Sequence, residues 1–232
     1  MKIALVGYGK MGKIIDEISQ SRGHEIVARL RETPTTENLN NPDVVIEFSN
    51  PEVAFENIKT CLENKTPVIC GTTGWLDQKP EIERVALENN TAFLYGSNFS
   101  LGVNLFFALN ENLAKMMSKF NEYNCQLEEI HHIHKLDAPS GTAISLAEGI
   151  IQNSNFEAWK LDETKEKELG IFAIREDEVP GTHSVFYRSE VDEIEIKHTA
   201  YNRNGFALGA VIASEWIVDK KGIFTMKDVL GL

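Results

Sequence analysis

Cysteine is scarce in this sequence, with three residues in 232, and Cys61, Cys70 and Cys125 lie far apart. No CxxC pair occurs and the total is odd, which argues against a cysteine-rich zinc site and against a disulfide framework. Isolated, reduced cysteines are typical of the cytoplasm, and we expect a cytoplasmic protein.

Long apolar runs are also missing. None approaches the roughly 20 residues that a membrane-spanning helix needs, and the apolar stretch at residues 3–6 is too short for the core of a signal peptide. No internal repeat or low-complexity tract is visible. We therefore expect a globular protein that has no membrane partner.

Positive charge is in deficit, with 23 Lys and Arg residues against 35 Asp and Glu residues and a net charge of −12. Nucleic acids and anionic membranes attract basic proteins, so neither is an expected partner. An anionic ligand must instead be bound by a local cationic pocket. The hydrophobic fraction of 42% can build one large domain or two small ones.

The first hundred residues contain short apolar strands that alternate with amphipathic helices. Strands are predicted at 3–6, 25–30, 43–48, 67–70 and 92–95, and helices directly after the first strand, at 53–64 and at 81–89. This alternation is typical of the α/β class and predicts a doubly wound, Rossmann-like parallel sheet.

The pattern changes after Gly102. The predicted elements are helices at 103–120 and 143–151, a charge-rich solvated helix or loop at 156–169, strands at 126–130, 171–175, 184–188 and 192–199, and helices at 206–218 and 224–230. Consecutive strands indicate a second, α+β domain with an antiparallel or mixed sheet. We assign residues 1–102 plus 205–232 to a dinucleotide-binding domain, and 103–204 to a substrate-binding and oligomerisation domain.

The segment Gly7-Tyr8-Gly9-Lys10-Met11-Gly12 follows the first strand and opens the first helix. This is the context of the GxGxxG dinucleotide-binding fingerprint. The glycines allow a tight turn and let the N–H groups of the helix N-terminus approach a pyrophosphate. A glycine-rich turn with no ligand is the alternative. We predict that this segment binds NADH or NADPH.

The residues at the end of the second predicted strand do not decide between NADH and NADPH. Glu32 could accept a hydrogen bond from a ribose hydroxyl, whereas Arg29 or Arg31 could bind a 2′-phosphate. Dual use is consistent with this mixture.

Two further turns, Gly71-Thr72-Thr73-Gly74 and Gly96-Ser97-Asn98-Phe99, follow the fourth and fifth predicted strands. Ligands of open α/β sheets bind at the carboxyl ends of the strands. Each segment could be a turn and nothing more. Beside the glycine fingerprint, we interpret both as cofactor contacts.

The most unusual stretch is residues 129–143, Glu-Ile-His-His-Ile-His-Lys-Leu-Asp-Ala-Pro-Ser-Gly-Thr-Ala, which holds three of the six histidines. Such residues are costly in a core unless they are paired. A metal site is one alternative, but no HExxH spacing occurs, and His131 and His132 point to opposite faces of an extended segment. Lys135 would repel a cation, and we predict no metal.

We interpret the stretch as catalytic, with one imidazolium as a proton donor and Lys135 neutralising negative charge on the substrate. His134 is our choice for a structural histidine. Pro139 ends the extended chain, and Ser140-Gly141-Thr142 opens a helix whose free N–H groups and hydroxyls suit a carboxylate. Together with a nicotinamide domain, this indicates reduction of an anionic, unsaturated substrate.

These motifs resemble the 4-hydroxy-tetrahydrodipicolinate reductase family (also called dihydrodipicolinate reductase) of the diaminopimelate route to lysine. The resemblance covers nearly the whole chain, through residues 7–12, 71–74, 98–104, 181–183, 224–228 and above all 129–143. It implies hydride transfer from NADH or NADPH to a small cyclic imine dicarboxylate, with loss of water. It also implies a homotetramer built through sheets of the second domain.

The resemblance further implies that His131 is the proton donor and Lys135 the second cationic catalytic residue. The implied substrate contacts are His132, Gly141 and Thr142, with Ser140 adjoining them, and the implied nicotinamide-side contacts are Gly71, Thr72, Thr73, Gly96, Ser97, Asn98 and Phe99.

Two departures accompany the resemblance. The acid that often marks the ribose site is displaced or replaced by Arg31, which bears on nucleotide preference and not on the reaction. The run Glu176-Asp177-Glu178 is unusually acidic and has no functional interpretation.

Two other functions remain as alternatives. A related dehydrogenase of amino acids or sugars would share the first domain, but would not need the Ser140-Gly141-Thr142 cradle beside paired histidines. A non-catalytic nucleotide-sensing protein would keep the glycine fingerprint, but has no reason to retain His131 and Lys135 together.

Overall fold

A computed structural model describes residues 1–202 and 204–232. The chain forms two compact units, one built from Met1–Leu101 and Asn204–Leu232, the other from the segment between them that begins at Gly102. None of the described helices combines the length and the apolar composition that crossing a membrane requires.

The first unit is a six-stranded parallel sheet with helices on both faces. Its elements are β1 (Lys2–Val6), α1 (Lys10–Ser21), β2 (Glu25–Leu30), β3 (Val44–Glu47), α2 (Pro51–Glu63), β4 (Val68–Cys70), a 3₁₀ turn (Leu76–Gln78), α3 (Lys79–Glu88), β5 (Ala92–Tyr95), α6 (Asn204–Ile217), β11 (Gly222–Phe224) and α7 (Met226–Leu230). The strand order is β11-β5-β4-β3-β1-β2. This confirms the predicted doubly wound, Rossmann-like fold.

Alternation along β1 explains why both faces of the sheet are covered. Ala4 and Val6 join a core that includes residues of α2 and α3, whereas Ile3 and Leu5 join a second core with residues of α1 and α6. Strands buried on both faces are typical of parallel sheets between helical layers. The carboxyl ends of β1, β3 and β4 therefore lie at the same edge of the sheet.

The C-terminal segment differs from its prediction at Phe224. This residue belongs to β11, which pairs in parallel with β5 and extends the sheet. The helix begins only after Thr225, where the carboxylate of Asp228 accepts hydrogen bonds from the backbone N–H and the hydroxyl of Thr225. A capping box therefore marks this start.

The second unit is a five-stranded mixed sheet covered on one face by two helices. Its elements are α4 (Leu101–Met117), β6 (Asn124–His131), α5 (Gly141–Gln152), β7 (Ala158–Leu161), β8 (Glu168–Arg175), β9 (Thr182–Arg188) and β10 (Glu193–Thr199), and the strand order is β10-β9-β6-β8-β7. β6 runs parallel to β8 and antiparallel to β9. The core between sheet and helices includes Leu127, Leu146 and Ile171.

The prediction of a solvated helix or loop at 156–169 is wrong for part of that segment. Ala158–Leu161 forms the edge strand β7, parallel to β8, and β8 itself begins at Glu168. The strand is short, and Lys160 and Leu161 are exposed. A strand of four residues inside a charge-rich segment is too short to show the apolar alternation that identifies a strand in sequence.

Candidate functional site

The turn between β1 and α1 has the backbone geometry that a dinucleotide needs. Gly7 has φ +92°, and a Cβ there would lie 2.1 Å from the carbonyl oxygen of Phe48. A Cβ at Gly12 would lie 2.5 Å from the carbonyl oxygen of Gly7. A Cβ at Gly9 would meet no atom within 4 Å. Gly7 and Gly12 are thus required for the turn, while Gly9 leaves room for a ligand beside the backbone.

The N-terminus of α1 is prepared for an anion. It has no acidic residue in its first turn and no side-chain cap, and Lys10 is the first helical residue. A cation at the positive end of a helix dipole is unfavourable unless an anion binds there. Cavities of about 530 and 360 Å³ both reach Gly9, Phe48 and Ser49. The residues present therefore fit the pyrophosphate of NADH or NADPH.

The two arginines near the end of β2 have different surroundings. Nε and Nη2 of Arg29 donate to the two carboxylate oxygens of Asp16 at 2.6 and 3.0 Å. Asp16 also accepts from the hydroxyl of Tyr8 at 2.6 Å. Arg31 is exposed and lines the larger cavity together with Glu32. Of the two candidates for a 2′-phosphate, Arg31 is the one that faces the cavity.

The turn after β4 lies against the same cavity system. Gly71, Thr72 and Thr73 line the smaller cavity. A Cβ at Gly71 would lie 2.2 Å from the ring of Phe48, so only glycine lets that ring fit. The hydroxyl of Thr72 accepts from the backbone N–H of Ser49 at 2.9 Å.

The residues of the turn after β5 are more buried than those of the turn after β4. Gly96 and Phe99 are buried and Ser97 is exposed, and a Cβ at Gly96 would lie 3.1 Å from the Phe99 ring. The amide oxygen of Asn98 accepts from the backbone N–H of Ser100 at 2.9 Å. Cofactor contact by residues 96–99 stays a prediction.

Glu47 at the end of β3 is a buried carboxyl group next to these turns and was not predicted from the sequence. One of its oxygens accepts from the backbone N–H of Ser49 at 3.1 Å and from the Ser49 hydroxyl. The other lies 3.3 Å from the sulfur of Cys70. Burial raises the pKa of Glu47. An acid in an otherwise apolar strand, next to a sheet edge, is the sequence signal that could have identified it.

In the second unit, buried and more exposed residues alternate along β6, and this alternation extends to the candidate catalytic residue His131. Cys125, Leu127, Glu129 and His131 are all buried and alternate with more exposed residues. Side chains two apart share one face of a strand. Glu129 and His131 therefore lie on the helix-covered face, just beyond the apolar core.

His131 is 7% exposed. Burial lowers its pKa to about 4, against the opposing effect of Glu129. Its Nδ1 lies 3.6 Å from Glu129 Oε2 and has no hydrogen-bond partner within the described part of the chain. The ring meets His183 edge-on, with centroids 5.0 Å apart. A Cβ at Gly181 would lie 3.2 Å from Nε2 of His131, so this glycine gives the ring its space.

The loop after β6 carries the other predicted groups. The ammonium of Lys135 lies 2.7 Å from both carboxylate oxygens of Asp137, and this hydrogen bond lowers the pKa of Asp137. His132 is half-buried. The His134 side chain is 71% exposed and lies 3.5 Å from Glu178. The interpretation of His134 as a structural histidine is therefore wrong.

The N-terminus of α5 follows this loop. Ser140 is the N-cap residue, and its hydroxyl accepts from the backbone N–H of Ala143 at 3.2 Å and lies 3.1 Å from His183 Nε2. Gly141 is exposed, and Thr142 is half-buried. The first turn contains no acidic residue, so its N–H groups can bind a carboxylate. The Ser140 side chain is engaged within the protein, and its part is to cap the helix.

Arg175, His183 and Gly181 complete this cluster and are missing from the motif-based prediction of catalytic and substrate residues. They come from β8, β9 and the turn before β9, which pairing brings beside β6. Cα partners across the strands are His131 with Arg175 and Glu129 with His183. Strand pairing of this kind is not visible in a single motif.

Glu129, His131 and His183 also form a group whose ligand atoms lie within 4.8 Å of one another, a spacing that could hold a metal ion. The guanidinium of Arg175 lies 3.2 Å from Glu129 Oε1 and already supplies the counter-charge. The arrangement is therefore better suited to moving a proton and binding an anion.

Comparisons with known proteins agree over the full length of the chain. Residues 1–99 match the family model for the N-terminus of dihydrodipicolinate reductase, and residues 102–230 match the model for its C-terminus. The chain is 54% identical over 234 residues to the 4-hydroxy-tetrahydrodipicolinate reductase of Christiangramia forsetii, covering 100% of this chain and 98% of that protein. It is 38% identical to that of Methanocaldococcus jannaschii, covering 98% and 81%.

A solved structure shares the fold. Dipicolinate-bound dihydrodipicolinate reductase from Paenisporosarcina sp. TG-14 superposes with a TM-score of 0.79 at 22% identity, covering 97% of each chain. With both halves matched by family models and more than half of the residues identical to a full-length relative, the chain belongs to the dihydrodipicolinate reductase family.

Proposed function

We propose that this chain catalyses the reduction of 4-hydroxy-tetrahydrodipicolinate to tetrahydrodipicolinate with NADH or NADPH, a step of lysine and diaminopimelate biosynthesis. The observation that carries the proposal is the presence of His131, Lys135 and the N-terminus of α5 in one segment of one unit. A proton donor, a cation and an anion-binding helix end are what the reduction of a dicarboxylate requires. The two relatives carry the same name.

The residues of the chain have separate roles in this reaction. The nicotinamide, when bound, supplies a hydride, while one proton is consumed and one water is lost. His131 donates the proton, and Lys135 offsets the negative charge of the substrate. The substrate carboxylates bind to Lys135, to His132 and to the N–H groups of Gly141 and Thr142. Residues 7–12, 71–73 and 96–99, with Arg31, hold the cofactor.

The protonation of His131 is coupled to the substrate in this proposal. In the free chain burial lowers the pKa of His131 to about 4, so the ring is neutral near pH 7. A doubly charged dicarboxylate beside the ring favours the imidazolium. Substrate binding thus brings the donor into its protonated state where the proton is used.

A direct assay tests the proposal. The purified chain is mixed with NADH or NADPH and with 4-hydroxy-tetrahydrodipicolinate, and nicotinamide absorbance is followed. We expect oxidation that depends on both substrate and enzyme. No oxidation with either nucleotide, while the chain still binds that nucleotide, would contradict the proposed reaction. Oxidation with an amino acid or a sugar instead would favour the related-dehydrogenase alternative.

Arg31 supplies the test of nucleotide preference. We propose that its guanidinium contacts the 2′-phosphate of NADPH, because it lines the larger cavity and is exposed. Arg31→Ala should raise the KM for NADPH by about 10-fold, the worth of one charge-assisted contact, and leave the KM for NADH nearly unchanged. Equal effects on both nucleotides would contradict this assignment. Lys65→Ala, an exposed cation of the same unit, is the control.

We further propose a cytoplasmic homotetramer. The three cysteines are buried free thiols, as expected in a reducing compartment. The sheet face opposite α4 and α5 carries Phe172, Ile174 and Phe186, in register with Glu128, Ile130 and Gln126 of β6, and such a face can pair with a second copy. Analytical ultracentrifugation should give four times the mass of 26.1 kDa. A monomer at micromolar concentration would contradict the assembly.

A further inference from the structure

Glu129 is a buried carboxylate with an unusual number of partners. It is 0% exposed, and its two oxygens accept from the backbone N–H of Ser140 at 3.2 and 3.0 Å. Its Oε2 also lies 3.6 Å from His131 Nδ1 and 3.7 Å from His183 Nε2. Burial raises the pKa of Glu129, but the nearby His183 ring and the hydrogen bonds from Ser140 prevail and hold the pKa at about 2. The group is therefore an anion at any working pH.

Arg175 supplies the cation for this anion and reaches beyond it. Its Nη2 lies 3.2 Å from Glu129 Oε1 and donates to the carbonyl oxygen of Asp137 at 2.7 Å. Its Nε donates to the carbonyl oxygen of Lys135 at 3.3 Å. One planar guanidinium thus joins the end of β8, the buried carboxylate and two carbonyls of the Lys135 loop. A lysine ammonium lacks the fork needed to do this.

The acidic run that had no functional interpretation contributes through its backbone. The N–H of Glu176 donates to the carbonyl oxygen of His131 at 2.8 Å, and the carbonyl oxygen of Asp177 accepts from the N–H of Ile133 at 3.2 Å. The turn after β8 therefore holds the start of the same loop from the other side.

We propose that Glu129 and Arg175 are positioning residues of the reductase site. The Glu129 carboxylate fixes the N-terminus of α5 and faces Nδ1 of His131, and the Arg175 guanidinium fixes the loop that carries Lys135. This inference rests on the proposed function, in which His131 donates the proton and Lys135 binds the substrate.

The charges of the pair act on His131 in opposite directions. The charged and titratable groups that face the imidazole are Glu129 from β6, His183 from β9, Arg175 from β8 and Lys135 from the loop. Glu129 favours the imidazolium, and Arg175, Lys135 and His183 disfavour it. Removing either member of the pair should therefore move the pH profile of kcat, and the two removals should move it in opposite directions.

The experiment compares Glu129→Gln, Arg175→Gln and Arg175→Lys with the wild type, using kcat and substrate KM from pH 5 to 9. Activity should fall as pH rises and His131 loses its proton. This fall should occur at a lower pH than in the wild type for Glu129→Gln, and at a higher pH for Arg175→Gln. Both should also lower kcat/KM by about 100-fold, the size expected when a site is misplaced by about 1 Å. Arg175→Lys keeps the charge without the fork, so it should raise KM with little shift in pH.

Controls separate positioning from general damage. Arg84→Gln removes an exposed Arg–Glu pair on α3 and should leave kinetics unchanged. Nucleotide affinity and thermal unfolding check that each variant is folded. If the Gln variants do not fold, Glu129→Asp and Arg175→Lys replace them. Both keep the charge, so the expected result is then a higher substrate KM with little shift in pH, and a wild-type KM in both would overturn the inference.

The possible outcomes are distinct. Wild-type kinetics and pH profiles in the folded variants, or shifts in the same direction, would overturn the inference and leave the proposed function intact. A wild-type chain that does not reduce the substrate would instead overturn the proposed function.

Discussion

The imidazole of His131 is subject to two opposing demands. Folding places it at 7% exposure and lowers its pKa to about 4 through burial. The proposed chemistry needs it to carry a proton near neutral pH. The anionic Glu129 beside it limits this conflict, because its charge partly offsets the cost of forming the imidazolium.

The kinetic consequences can be measured with single substitutions. His131→Gln and Lys135→Ala should each lower turnover by about 10²–10⁴-fold, the range for a positioned proton donor. Lys135→Ala should also raise the substrate KM, because it removes a ligand of the substrate, whereas His131→Gln should act mainly on kcat. Steady-state kinetics with saturating nucleotide distinguish the two effects. Near-normal turnover in both variants would mean that the roles are misassigned.

The same imidazole should make stability depend on pH. The ordinary pKa of 6.5 drops to about 4 in the folded chain, so below pH 6.5 the unfolded chain binds a proton that the folded chain does not. The free energy of unfolding should therefore fall as pH decreases from 6.5 toward 4. The His131 contribution to this loss is roughly 2 kcal/mol by pH 4.5.

Urea unfolding of the wild type and of His131→Gln at pH 7 and pH 4.5 isolates this contribution, since other groups titrate in both proteins. Glu129 has a pKa of about 2, and its stabilisation is lost only as pH falls through 4.5 toward that value, below the range used. Equal losses of stability in the two proteins would show that His131 is not buried in its neutral form.

Among the elements, the turn before α1 contains glycines that the fold needs and one, Gly9, that we propose the cofactor needs. A Cβ at Gly12 would lie 2.5 Å from a backbone oxygen, whereas a Cβ at Gly9 would meet nothing within 4 Å. Gly12→Ala should therefore destabilise the protein by about 1–3 kcal/mol, the usual cost of overpacking. Gly9→Ala should leave the fold intact and weaken nucleotide binding by about 10-fold or more.

Thermal unfolding and nucleotide titration by fluorescence, applied to both variants, test this separation. Tight nucleotide binding by folded Gly9→Ala would mean that the pyrophosphate does not approach this part of the turn. A fully stable Gly12→Ala would mean that the backbone at Gly7 can relax by several tenths of an ångström at little cost.

The strand β6 also shows how a core strand can place its last residues in the candidate site. Its alternation places Leu127 in the core and Glu129 and His131 just beyond it on the same face. The polar pair is supported by Arg175 and His183 of the flanking strands. The strand thus alternates like an ordinary core strand, but the buried positions among its last three residues hold ionisable side chains.

For the whole molecule, sequence reasoning succeeds where the signal is local. Alternating strands and helices predict the doubly wound sheet, and the glycine turn and residues 129–143 are found directly by their composition. Glu47 and Glu129 also carry a local signal, since each is an acid in the buried phase of a strand, but neither was assigned to the site from the sequence. Arg175 and His183 are more than 40 residues from Glu129, and only the pairing of β6 with β8 and β9 brings them together.

The two units give a final prediction that concerns the molecule as a whole. A nucleotide should stabilise the first unit, and a dicarboxylate such as dipicolinate should stabilise the second, because the proposed contacts of each ligand lie within one unit. A ligand at 100 times its Kd stabilises the folded state by about 2.7 kcal/mol. Hydrogen exchange monitored by mass spectrometry can assign that protection to segments.

With NADPH alone, we expect slower exchange at residues 7–12 and 71–74. With dipicolinate in the presence of nucleotide, we expect additional protection at residues 131–142 and, through Arg175, at the end of β8. His131→Gln, which keeps a polar side chain of similar size, should retain the nucleotide protection. Dipicolinate protection confined to the first unit would contradict the assignment of the α5 N-terminus and the Lys135 loop to the substrate, since those amides would then have no ligand to shield them.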